Sequence, residues 1–107
     1  MQIKQMLNGR MERRLPIIVA VRLSRVQDLP PIEEVTYTDN VSVYGVRVIS
    51  SYSWRPGELA QIAPLQKEPS MQGEVVYCQS FGNKGFCVGF RFQERVMWSA
   101  LSRYGAI

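Results

Sequence analysis

Phe86-Cys87-Val88-Gly89-Phe90-Arg91-Phe92 places a large apolar side chain at every second position. A period of two marks a strand with one buried face, because successive side chains of an extended chain point to opposite sides. Phe86, Val88, Phe90 and Phe92 are therefore expected to share one face. Just upstream, Phe81-Gly82-Asn83-Lys84-Gly85 carries the residues of a turn, and Gly73 to Cys78 supplies the other arm of a hairpin.

The same reading extends back along the chain. Ile17, Val19, Val21 and Leu23 alternate with Ile18, Ala20, Arg22 and Ser24, which predicts a first strand. Gln27-Asp28-Leu29-Pro30-Pro31 ends it, since proline donates no ladder hydrogen bond and restricts the residue before it. Glu34 to Thr38 reads as a second strand, and Val46 and Val48 open a third beyond a turn at Asp39 to Gly45. Arg55-Pro56-Gly57 is a turn signal that precedes a fourth strand from Glu58 to Leu65. Six short strands at this spacing predict an all-β fold, a six-stranded antiparallel barrel. The period then changes: Val96, Met97, Ala100, Leu101 and Tyr104 fall on one face of a short C-terminal helix, placed to plug an open barrel end with Trp98 or Met97 near it.

Composition narrows the function. The chain has 107 residues, with 13 Lys+Arg, 9 Asp+Glu, a formal charge of +4 and no histidine. The missing histidine removes histidine triads, histidine general bases and histidine metal sites. Glu33-Glu34 reads as a solvated strand end, no metal-ligand cluster is visible, and an enzyme is not expected. The charge is unevenly placed. Residues 1–25 hold Lys4, Arg10, Arg13, Arg14, Arg22 and Arg25 against Glu12 alone, while the rest of the chain is near neutral. Arginine dominates the basic set, and its planar fork suits bidentate recognition of phosphates and guanine edges.

Leu15 to Val21 is the longest strongly apolar stretch, too short to span a bilayer, and Met1 to Gly9 lacks the apolar core of a signal peptide. A cytoplasmic protein without membrane insertion is expected. Cys78 and Cys87 flank the predicted hairpin turn and are expected to stay reduced.

Two short motifs carry the chemistry. Arg10-Met11-Glu12-Arg13-Arg14 spaces Arg10 and Arg14 as RxxxR immediately before the first strand. Asn40-Val41-Ser42-Val43-Tyr44-Gly45 reads as NxSxxG between the second and third. In this order the pair resembles the PilZ domain, the bacterial receptor module for cyclic di-GMP. The resemblance covers roughly residues 8–95 and includes Trp54-Arg55-Pro56-Gly57-Glu58-Leu59, similar to the family's PGxxL turn but with one residue fewer between Gly57 and Leu59, and the hairpin of Gly73 to Tyr77 with Val88 to Phe92. It implies a PilZ-type β-barrel, with residues 1–9 as an N-terminal arm and residues 10–107 as a single PilZ-like domain.

The resemblance also implies a ligand site at Arg10, Arg14, Asn40, Ser42 and Gly45, with Arg13 and Arg47 as secondary candidates. The residue chemistry agrees. Cyclic di-GMP presents two phosphates and two guanines, and a guanidinium can fork onto either or stack on a purine. Asn40 offers an amide to a guanine edge, and Ser42 offers a hydroxyl. Gly45 is expected to take positive φ and let the ligand approach. Gly9 stands where many members carry a further arginine, which removes a basis for expecting an intercalated ligand pair.

Three functions follow for comparison. The favoured one is a cyclic di-GMP receptor and adaptor without a cofactor. Charge repulsion keeps its arginine arm mobile until the dianion orders it, presenting a surface to a downstream effector protein. Motility, exopolysaccharide production and attachment, and so biofilm formation, are the pathways the family suggests. The second is a PilZ-like protein-interaction adaptor that binds no ligand. The third is a small barrel that binds single-stranded nucleic acid. It is disfavoured because Phe86, Phe90 and Phe92 read as core side chains, where such binders need an exposed stacking platform.

Overall fold

The alternating stretches close on one another. In the computed structural model, which describes residues 14–100, six antiparallel strands form a closed barrel in the order β1-β2-β3-β6-β5-β4. They are β1 (Ala20–Arg25), β2 (Ile32–Ser42), β3 (Gly45–Ser50), β4 (Leu59–Pro64), β5 (Met71–Ser80) and β6 (Phe86–Phe92). Pairing of β1 with β4, Val21 opposite Pro64 and Arg25 opposite Ala60, closes the ring. This is the architecture the resemblance implied.

The predicted periodicities become the core. Val21, Leu23, Val41, Val46, Val48, Ile62, Val75, Val88, Phe90 and Phe92 are all buried inside the barrel. Two tryptophans extend that core. Trp54 meets Phe90 edge-on at 5.4 Å, and Trp98 meets Phe92 at 6.1 Å while its indole N–H donates to the Pro69 carbonyl. Buried aromatic pairs of this geometry add about 0.5–1.5 kcal/mol beyond their area. Of the residues expected at the plugging face, Val96 and Trp98 are buried, whereas Met97 is exposed. Contrary to the predicted helix, Val96 to Trp98 have no regular secondary structure, and the Val96 N–H donates at 2.7 Å to the Val43 carbonyl in the β2–β3 connection. Ser99 and Ala100 are helical, and Leu101 and Tyr104 lie outside the described residues.

Strand boundaries depart from expectation in two places that matter for the site. β1 begins at Ala20 and not at Ile17. Pro16 cannot donate to a ladder, and the Leu15–Val19 segment is held by other means. Leu15 exchanges both backbone hydrogen bonds with Val41 at 2.9 Å. The buried Thr38 hydroxyl donates to the Ile17 carbonyl at 2.8 Å and accepts from the Val19 N–H at 2.9 Å.

The second departure is β2, which runs to Ser42 and not to Thr38, so Asn40 and Ser42 are strand residues and not turn residues. The register shifts between Thr38 and Asn40, so that a β-bulge at Asp39 carries the strand past a polar pair that reads locally as a turn. The connection to β3 is only Val43-Tyr44, with Ser42 paired to Gly45.

Glu33 and Glu34 have structural partners. Glu34 accepts from the Ser50 hydroxyl and the Ser51 N–H, both at 2.7 Å, and Glu33 from the Ser24 hydroxyl at 3.3 Å. Cys78 and Cys87 are free thiols. Cys78 pairs in register with core-facing Val88, whereas Cys87 pairs with exposed Gln79, so the two side chains leave the sheet on opposite faces.

Candidate functional site

On a barrel, in-register partners on adjacent strands share a face. Across four strands one outward row reads Asn40 on β2, Arg47 on β3, Gly89 on β6 and Tyr77 on β5. A bulge stands at each end of it: one at Asp39, and one between Val75 and Tyr77. Bulges re-aim side chains beside functional sites. Here the first turns Asp39 and Asn40 together toward Arg47, and the second sets Tyr77 opposite Gly89.

Arg14, one residue before the Leu15–Val41 anchor, reaches this row. Its Nη1 donates to Asn40 Oδ1 at 3.0 Å across 26 residues of sequence. One residue from each motif is thereby brought into contact. Arg14 is exposed and Asn40 half-buried. Arg10 and Arg13 lie outside the described residues.

Ser42 is fully buried, with its hydroxyl 3.4 Å from the Gly45 carbonyl oxygen. Gly45 does not adopt positive φ, contrary to the sequence expectation. Its need for glycine is steric: a Cβ there would stand 3.0 Å from the Phe90 carbonyl oxygen and 3.4 Å from Ser42 Oγ. The tight hairpin therefore leaves little room for a side chain there, with no demand for left-handed backbone.

Arg47 is held more firmly than its sequence context suggested. Its Nε donates to Asp39 Oδ1 at 2.7 Å and its Nη2 to Asp39 Oδ2 at 3.0 Å, a side-on bidentate pair. That hydrogen bonding raises the guanidinium above its ordinary, already high proton affinity, against partial desolvation and with smaller help from the Tyr77 hydroxyl. The Tyr77 ring stands close against Gly89. A Cβ at Gly89 would stand 2.6 Å from the ring's Cζ and 2.8 Å from Cδ2.

Asp39, Tyr77 and Gly89 were not singled out by the sequence. The available signal was the glycine inside an otherwise apolar strand, Val88-Gly89-Phe90, since such a glycine marks a close approach. Which group approaches it is a matter of cross-strand register, which no local pattern encodes.

A separate groove lies elsewhere on the barrel. It is lined by Leu59, Met71, Glu74, Arg91, Phe92 and Glu94, among others, and by none of the motif residues. Its two carboxylates beside one guanidinium make it the more acidic surface, and the Arg14–Asn40–Arg47 face is the more basic of the two. Among the described residues no group of three or more His, Cys, Asp or Glu could hold a metal ion, and no helix is long and apolar enough to cross a membrane.

No family model matches this sequence, and no curated protein shows significant sequence similarity to it. A solved structure is similar in fold. The Bacillus subtilis inhibitor of motility MotI/DgrA superposes with a TM-score of 0.66 at 16% identity, over 90% of this chain and 49% of that one. The chain thus spans about half the length of that protein. At this identity the likeness establishes the barrel fold.

Proposed function

We propose that this protein is a PilZ-type receptor for cyclic di-GMP, with Arg14, Asn40 and the Gly45 hairpin forming the described part of the site and Arg10 completing it. The observation that carries the reading is the 3.0 Å contact between Arg14 and Asn40. Arg14 of the RxxxR motif and Asn40 of the NxSxxG motif, separate in sequence, meet on one outward face beside a further arginine. Structural similarity to an inhibitor of motility is in keeping with a signalling role.

The chemistry follows from the groups present. Arg14 directs its donor to a neutral amide oxygen, so its positive charge remains available to a phosphate. Its bond to Asn40 is readily exchanged, because a phosphate adds charge–charge attraction and a second parallel N–H···O bond that one neutral amide oxygen does not offer. Asn40, once released, offers both amide carbonyl and NH₂ to a guanine edge. Ligand capture engages Arg10 together with Arg14 and builds a composite surface for an effector protein, in motility or attachment machinery.

Calorimetric titration of cyclic di-GMP into the full chain tests this, with a short single-stranded oligonucleotide as the competing ligand. Saturable binding of the dinucleotide, with slowed hydrogen exchange over residues 8–16, is expected. Tighter binding of the oligonucleotide, or no binding of the dinucleotide, refutes it.

A further inference from the structure

One charge pair on this face has no part in the clamp described above. Asp39 is the extra residue of the β2 bulge, and without that bulge its side chain would alternate to the opposite face from Asn40. The bulge therefore places a carboxylate directly beside a site for an anion. Like charges near a binding site weaken it, so a carboxylate there calls for a physical account.

Its partner provides one. Arg47 gives Asp39 the Nε–Nη2 edge of its guanidinium at 2.7 and 3.0 Å. That edge takes two oxygens in parallel, and the two non-bridging oxygens of a phosphodiester match it as well as a carboxylate does. The side chains of Arg47 and Asp39 retain 35% and 29% of their exposure, so the pair can be reached from solvent. Arg14, bonded to the neutral Asn40 amide, has no carboxylate partner among the described residues. Two guanidinium groups thus share the face, one available and one already occupied.

We infer that Asp39 is an internal anion that occupies Arg47 in the ligand-free protein and sets how strongly this face takes a phosphodiester. The inference rests on the cyclic di-GMP reading of the same face. One guanidinium edge holds one pair of oxygens, so phosphate and Asp39 compete for it. Arg14 makes the first contact, and Arg47 engages only when the ligand displaces the carboxylate. The threshold is bounded, since a bidentate pair that keeps about a third of its side-chain exposure is reached by solvent and stays exchangeable.

The test is a calorimetric double-mutant cycle in the full chain, with cyclic di-GMP as ligand and wild type, D39N, R47A and D39N/R47A as receptors. Asparagine keeps the shape and an acceptor oxygen at the bulge but removes the charge. D39N is expected to bind about three- to fivefold more tightly, the equivalent of one well-formed exposed ion pair. R47A is expected to bind about three- to fivefold more weakly than wild type, because it removes a guanidinium the ligand engages and leaves the Asp39 charge uncompensated. The double variant is expected to lose the D39N gain.

Weaker or unchanged binding by D39N overturns the inference, because Asp39 would then position Arg47 or do nothing. An equal gain in the double variant also overturns it, since relief of general repulsion would explain the effect. A second readout needs no substitution: the Arg47 Nε–H resonance of the wild type should move at ligand saturation, and an unmoved resonance refutes displacement. If neither wild type nor D39N binds, the ligand reading itself has failed and this inference falls with it.

Discussion

Replacing Arg14 with alanine separates the ligand role of the arginine arm from any role in folding. In the free protein Arg14 is exposed, and its described side-chain bond goes to the neutral Asn40 amide at 3.0 Å. Its loss should cost no more than about 0.5 kcal/mol of stability, as for most surface substitutions. For a domain of this size that shifts the melting temperature by no more than about 4 °C. The backbone anchor next to it is untouched, because Leu15 bonds to Val41 through main-chain groups. Binding is a different matter. A guanidinium–phosphate hydrogen bond is worth about 1.5–3 kcal/mol, so R14A should weaken cyclic di-GMP binding about 10- to 150-fold. R14K keeps the charge but not the fork, and should fall between the two. Calorimetry and a thermal melt on the same samples give both numbers. Unchanged affinity in a folded R14A protein would refute the clamp, and a large loss of stability would show that Arg14 is a folding residue instead.

Three further outcomes follow from the packing. Thr38→Val removes the hydroxyl that holds Ile17 and Val19, leaving a buried carbonyl and N–H without that partner; a stability loss of about 1–3 kcal/mol is expected by denaturant titration. Because the same segment carries Arg14, T38V should also weaken cyclic di-GMP binding, and intact affinity would disconnect the anchor from the site. Gly89→Ala drives a methyl into the Tyr77 ring and should cost about 1–3 kcal/mol, most of it recovered in G89A/Y77A. Failure of that rescue would mean the ring is not what the methyl meets. Oxidation of the folded protein should give no Cys78–Cys87 disulfide by non-reducing mass mapping, because the two thiols leave the hairpin on opposite faces.

The strands were legible because their cause is local. Alternation in Phe86 to Phe92 and in Val19 to Leu23 records which side chains must leave water, and Pro30, Pro31 and Gly57 record where a ladder cannot continue. The same local logic failed at Asp39-Asn40. Those residues favour turns in isolation, yet β2 passes through them, since pairing with β3 on one side and the Leu15 anchor on the other outweighs their intrinsic preference. Gly45 failed for a related reason. Glycine can signal positive φ or a lack of room, and only the position of the Phe90 carbonyl separates the two.

What the sequence alone determined is an all-β chain with an arginine-rich segment ahead of its first strand and an amide–hydroxyl–glycine motif further on. Periodicity and charge are additive along a chain, so they can be read one residue at a time. Only the tertiary structure decided that Arg14 meets Asn40, that Asp39 turns outward to hold Arg47, and that Tyr77 covers Gly89. These depend on the register between strands that lie far apart in sequence. A single bulge changes which face a residue occupies, and with it whether a charge meets a partner or a ligand.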